Sequence, residues 1–74
     1  MNKERRRKIN DGVESLMRAR DILQKVLNDE QFVFDNMPEN LQGSIRGMES
    51  EDAVNCLEES IEKIEEVISE LGGI

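Results

Sequence analysis

Arg46 is the residue whose type and neighbourhood best suit it to binding chemistry. It lies in the stretch from Phe34 to Gly47, which holds the only proline of the chain, Pro38, and two of its five glycines, Gly43 and Gly47. Uncharged polar side chains, Asn36, Asn40, Gln42 and Ser44, crowd around this single cation. A guanidinium in a glycine-flanked bend can present a planar fork to phosphate or carboxylate, and nearby backbone donors add to the field. Asn36, Gln42 and Ser44 carry the groups to complete hydrogen bonds to a base or ribose. The competing reading needs no ligand. Bends between helices use such residues as caps, with Arg46 on the last carbonyls of the preceding helix and Asn36 and Ser44 as cap residues.

A second cationic group, Lys3, Arg5, Arg6, Arg7 and Lys8, is opposed only by Glu4. It can bind an anion, Arg5 and Arg6 included, or pair with Glu62, Glu65, Glu66 and Glu70 of another subunit. A plain solvated arm is the simpler expectation. Nucleic acid is not the expected partner, because no aromatic residue is interleaved to stack bases and the net charge of −7 opposes phosphate binding. Glu58, Glu59, Glu62, Glu65 and Glu66 form an acidic face. Carboxylate metal sites in helical bundles add a histidine, and this chain has none. Cys56 sits among acidic neighbours, a setting that disfavours a reactive thiolate. With no nucleophile–base pair, no phosphate-cradling glycine loop and no metal set, the chain is expected to be neither an enzyme nor a cofactor protein.

Seventy-four residues make one domain at most. A chain of this size buries only ~60% of what its unfolded state exposes. Small scaffolds compensate with disulfides, metals or oligomerisation. One cysteine and no histidine leave oligomerisation. No apolar run approaches the ~20 residues of a membrane span, and nothing apolar follows the basic start as in a secretory signal. A cytoplasmic protein with a reduced thiol is expected.

Two long segments must position these groups. In residues 9–36, Ile9, Val13, Leu16, Leu23 and Leu27 follow a four-three rhythm that Arg20 interrupts, and Ala19, Val26 and Val33 widen that face. Pro38 disfavours helix at Met37, so the first helix should stop near Asp35 or Asn36. Residues 37–47 form the bend, with a short helical turn after Pro38, Leu41 tucked beneath it, and Gly43 and Gly47 supplying backbone freedom. In residues 48–71, Val54, Leu57, Ile61, Ile64, Ile68 and Leu71 are spaced three, four, three, four, three, a heptad seam. Ser50, followed by Glu51 and Asp52, reads as its N-cap, with a start near Ser44 as the competing choice. Gly72 and Gly73 end it. Antiparallel pairing sets Leu71 near Gly12, so that residues 1–8 overhang as a basic arm. The fold class is therefore all-α, a helical hairpin. Leu16, Leu23, Leu57, Ile61, Ile64 and Ile68 should form the core of a homo-oligomeric bundle.

The run from Asp35 to Gln42, then Ser44 and Arg46-Gly47, then an acidic heptad helix, resembles a group of small helical proteins of phages and mobile elements of Gram-positive bacteria. Their bend reads Asp-Asn-aliphatic-Pro-Glu-X-Leu-Gln, followed by Ser and Arg-Gly. The resemblance spans about Arg18 to Leu71. It implies no reaction, but it implies a phage accessory protein, a context in which small helical oligomers counter host defence. On that basis the expected function is non-catalytic sequestration of a small anionic ligand such as a nucleotide immune signal. The alternative is an interaction module that occupies a host protein through its acidic or apolar surface.

Overall fold

The computed structural model describes residues 1–74 as three helices, α1 (Lys3–Asp35), α2 (Glu39–Gln42) and α3 (Ile45–Gly72). Helix α1 begins earlier than its apolar pattern implies. The Asn2 side chain accepts from the Arg5 backbone N–H at 2.9 Å and caps the helix. The five early cations are therefore helical, and residues 1–8 are not a separate arm. The helix ends at Asp35, with Asn36 as C-cap and its backbone N–H on the Phe32 carbonyl at 3.1 Å. Pro38 then opens α2, its carbonyl accepting from the N–H groups of Leu41 and Gln42 at 2.8 and 3.1 Å.

Helix α3 starts at Ile45 with Ser44 as N-cap, six residues before the start that Ser50 would set. Ser50 is instead buried on the seam, where its hydroxyl donates to the Glu30 carboxylate of α1. The reason is spacing: Gly47, Ser50, Val54 and Leu57 continue the three-four rhythm backwards, so Ser50 points at α1 rather than at its own helix end. At the far end Gly72 closes α3 and Gly73 caps it.

α1 and α3 pack against each other along their length. Their shared seam runs antiparallel, from Glu30 beside Ser50 at the bend to Ile9 beside Leu71 at the open end. Leu71 thus lies nearer Ile9 than Gly12. Arg6 and Asn10 border the C-terminal Gly72 and Ile74, so the overhang is shorter than expected. The buried core is Leu27, Val54 and Ile61, with Leu23 and Leu57 packed against it. Leu16, Ile64 and Ile68 are half-buried on the same seam. The molecule measures 58 × 15 × 13 Å, two helices wide, with a radius of gyration of 17.0 Å. A compact chain of this length would have about 11 Å. No helix is long and apolar enough to cross a membrane.

Candidate functional site

The bend is held by side chains that satisfy helix ends. The end of α1 leaves carbonyls without intrahelical donors. Asn36 donates its side-chain amide to the Phe32 carbonyl at 2.8 Å. Gln42 reaches back from α2 and donates to the carbonyls of Phe34 and Met37 at 3.2 and 3.3 Å. Ser44 accepts from the Gly47 N–H at 3.3 Å and donates its hydroxyl to the Leu41 carbonyl, joining α2 to α3. Three of the four polar residues singled out around the bend thus have their donors engaged by backbone.

Gly47 explains how α2 and α3 come so close. Neither it nor any other glycine has a positive φ. A Cβ on Gly47 would run into the carbonyls of Gln42 and Leu41. Absence of a side chain is what this position requires, rather than backbone freedom. Gly43 has open space around it. Leu41 does not tuck under the bend; it is exposed, as is Met48 on the first turn of α3.

Arg46 stands apart from this network. It is exposed and makes no hydrogen bond or ion pair, and the α1 carbonyls it could have capped are served by Asn36 and Gln42. It borders a shallow hollow of about 200 Å³ lined also by Val33, Asn36, Met37, Pro38 and Leu41. A guanidinium beside apolar walls, with no carboxylate paired to it, is available to an anion or to a partner's carboxylate.

The basic residues lie at the opposite end. Arg5 and Arg6 are exposed at the open end, where Arg6 lies beside Leu71 and Ile74, so one hairpin does not bring them to the bend. Arg6 lines a second hollow of about 220 Å³ with Ile9, Asn10, Leu71, Gly72 and Ile74. Lys8 pairs with Glu4 at 3.9 Å within α1. Arg20 keeps its side chain mostly covered, 29% exposed, while its guanidinium reaches Asp21 at 3.3 Å. The glutamates of α3 are exposed and form no ion pairs, no acidic group could hold a metal, and Cys56 is exposed.

The role of Gln42 was hidden in the sequence because it depends on a contact eight residues away. No family model matches the chain, and neither a curated protein nor a solved structure matches it.

Proposed function

We propose that this protein works by binding rather than catalysis, as a homo-oligomeric interaction module whose helical surfaces engage a protein partner. The observation that carries this reading is the imbalance between buried and open apolar side chains. Leu27, Val54 and Ile61 are the whole buried core, while Ile22, Val26, Phe32, Val33, Ile45 and Met48 are exposed. The chain presents 5771 Å² to solvent. A compact monomer of this mass would present roughly 4,700 Å². Apolar surface left open on so thin a hairpin favours association, because covering it is the main driving force available.

A second reading, sequestration of a small anion such as a nucleotide, is favoured by Arg46 alone. Its donors are free, as are those of the exposed Asn40, but Arg46 carries the charge and borders a hollow. Engagement of Asn36, Gln42 and Ser44 by backbone groups counts against a site built from all four.

Native mass spectrometry on protein purified gently from cells, with and without added nucleotides, separates the readings. The interaction reading expects a ligand-free oligomer across the nucleotide panel, and loss of partner capture on Glu59→Lys or Glu66→Lys. An oligomer carrying extra nucleotide-sized mass that is lost in Arg46→Ala would overturn it in favour of sequestration.

A further inference from the structure

We propose that two copies of this hairpin pack through the face bearing Ala19, Val26 and Val33 of α1 and Ala53, Ser60 and Val67 of α3, with both bends at the same end. This rests on the oligomeric reading above and adds to it the face, the partner and the direction.

The face follows from the two flanks of the seam. Ala19, Val26 and Val33 recur at seven-residue spacing, each one residue before a seam position, and so do Ala53, Ser60 and Val67. The flank on the other side carries Asn10, Met17, Gln24 and Gln31 on α1 and Glu51, Glu58 and Glu65 on α3. Antiparallel pairing brings like flanks of the two helices to one side. Val33 and Arg46, each one residue before a seam position, accordingly line the same hollow. Met17 apart, the hairpin therefore has one polar, acidic side and one small and apolar side. On the latter Val26, Val33 and Val67 are 48%, 46% and 42% exposed. Small residues at Ala19, Ala53 and Ser60 let a second pair of helices approach to the ~8–10 Å of close packing.

The area suits a second copy. The full side of the hairpin, 58 Å long and 15 Å wide, offers at most about 870 Å² per copy, and a stable pair buries about 800 Å² on each partner. The direction follows from charge. A two-fold axis running across the helices would lay α1 on α1 and α3 on α3. An axis running along them lays each α1 on the other copy's α3. Both make all neighbouring helices antiparallel, so helix dipoles do not choose between them. Charge does. α3 carries nine acids against Arg46 and Lys63, whereas α1 carries eight cations and seven acids. The first arrangement stacks two strongly acidic helices. The second gives each acidic helix only α1 neighbours and places the two α3 helices on a diagonal. It also sets Lys8 of each copy near the level of Glu70 of the other, a pairing of unlike charges at the rim.

Sedimentation equilibrium and cross-linking test this together. The wild-type chain should weigh twice 8.5 kDa. Val26→Glu or Ala53→Glu should weaken the dimer at least tenfold with helicity retained, while Gln24→Glu on the polar flank should leave it unchanged. In a Cys56→Ser background, chains carrying Val26→Cys and chains carrying Ala53→Cys should form a mixed disulfide when combined. Each alone should form none between chains. A wild-type mass of one chain would overturn both the oligomeric reading and this one. A dimer indifferent to Val26→Glu and Ala53→Glu would overturn the face and leave oligomerisation standing. Disulfide-linked dimers of Ala19→Cys or Ser60→Cys chains, with no mixed product at Val26 and Ala53, would overturn the direction.

Discussion

Ser50 of α3 donates its hydroxyl to the Glu30 carboxylate of α1 across the hairpin seam, with Ser50 buried and Glu30 half-buried. It is the only side-chain hydrogen bond or ion pair between the two long helices; the other ion pairs lie within α1. The polar pair replaces two apolar seam residues at the bend-proximal end, just beyond Leu27 and Val54. Such a pair sets register more than stability. Ser50→Ala should cost about 1 kcal/mol, because it leaves the Glu30 carboxylate without its partner. Changing both, Glu30→Leu with Ser50→Ala, should recover that loss. Urea unfolding of the two single variants and the double variant measures it. A double variant no more stable than Ser50→Ala would show that the pair does more than satisfy its own groups.

Gly47→Ala should be among the most damaging small substitutions in the chain. The new methyl would press on the backbone carbonyls of Gln42 and Leu41. Backbone cannot rotate aside as a side chain can, so α2 must move off α3 and the Ser44 cap must stretch. The expected cost is about 3 kcal/mol, large beside the marginal stability of a small domain. Gly43→Ala, with open space around it, should be nearly neutral. Thermal melts of the two variants give the comparison, and equal melting temperatures would contradict the close approach.

Gln42 offers a way to tell a cap from a ligand site. Its amide donates to the Phe34 and Met37 carbonyls. Gln42→Ala should cost about 1–2 kcal/mol as those carbonyls lose their donors. Gln42→Glu should cost more, because a carboxylate sets acceptor against acceptor. Arg46→Ala should leave the melting temperature unchanged, since Arg46 touches no backbone group. A large stability loss in Arg46→Ala would mean that its guanidinium, too, serves the fold.

Much of this architecture can be read from residue spacing. The three-four rhythm from Val54 to Leu71 becomes the α3 seam, and Pro38 ends α1 where its clash with the preceding residue says it must. Ser50 misleads because serine before two acids has the chemistry of a cap while also falling on the seam. Only the partner helix decides between those roles. The cations from Lys3 to Lys8 look like a loose arm because they lack apolar neighbours, yet Asn2 caps them into α1. At the bend, residue types were informative but assignments were not. Gln42, rather than Arg46, serves the carbonyls of α1, a distinction that depends on how the chain turns between them.

Arg20 is the one cation at a seam position of α1 between Ile9 and Leu27, and replacing it with leucine should strengthen the hairpin. It occupies a seam position between Leu16 and Leu23 but turns its guanidinium out to Asp21 at 3.3 Å. Asp21 is 68% exposed, and an ion pair at such a surface contributes about 0–1 kcal/mol. The rest of the Arg20 side chain, 29% exposed, offers the seam only its aliphatic stem. Leucine at this position would continue the four-three rhythm of α1 without interruption and add apolar contact between Leu16 and Leu23. The gain from a partly buried leucine is about 1 kcal/mol, which for a domain of this size raises the melting temperature by about 4–8 °C. Arg20→Leu should therefore melt higher than wild type, and Arg20→Ala should not, because it loses the stem without putting apolar contact in its place. A lower melting temperature for Arg20→Leu would show that the guanidinium holds a structural place that its pairing with Asp21 does not account for.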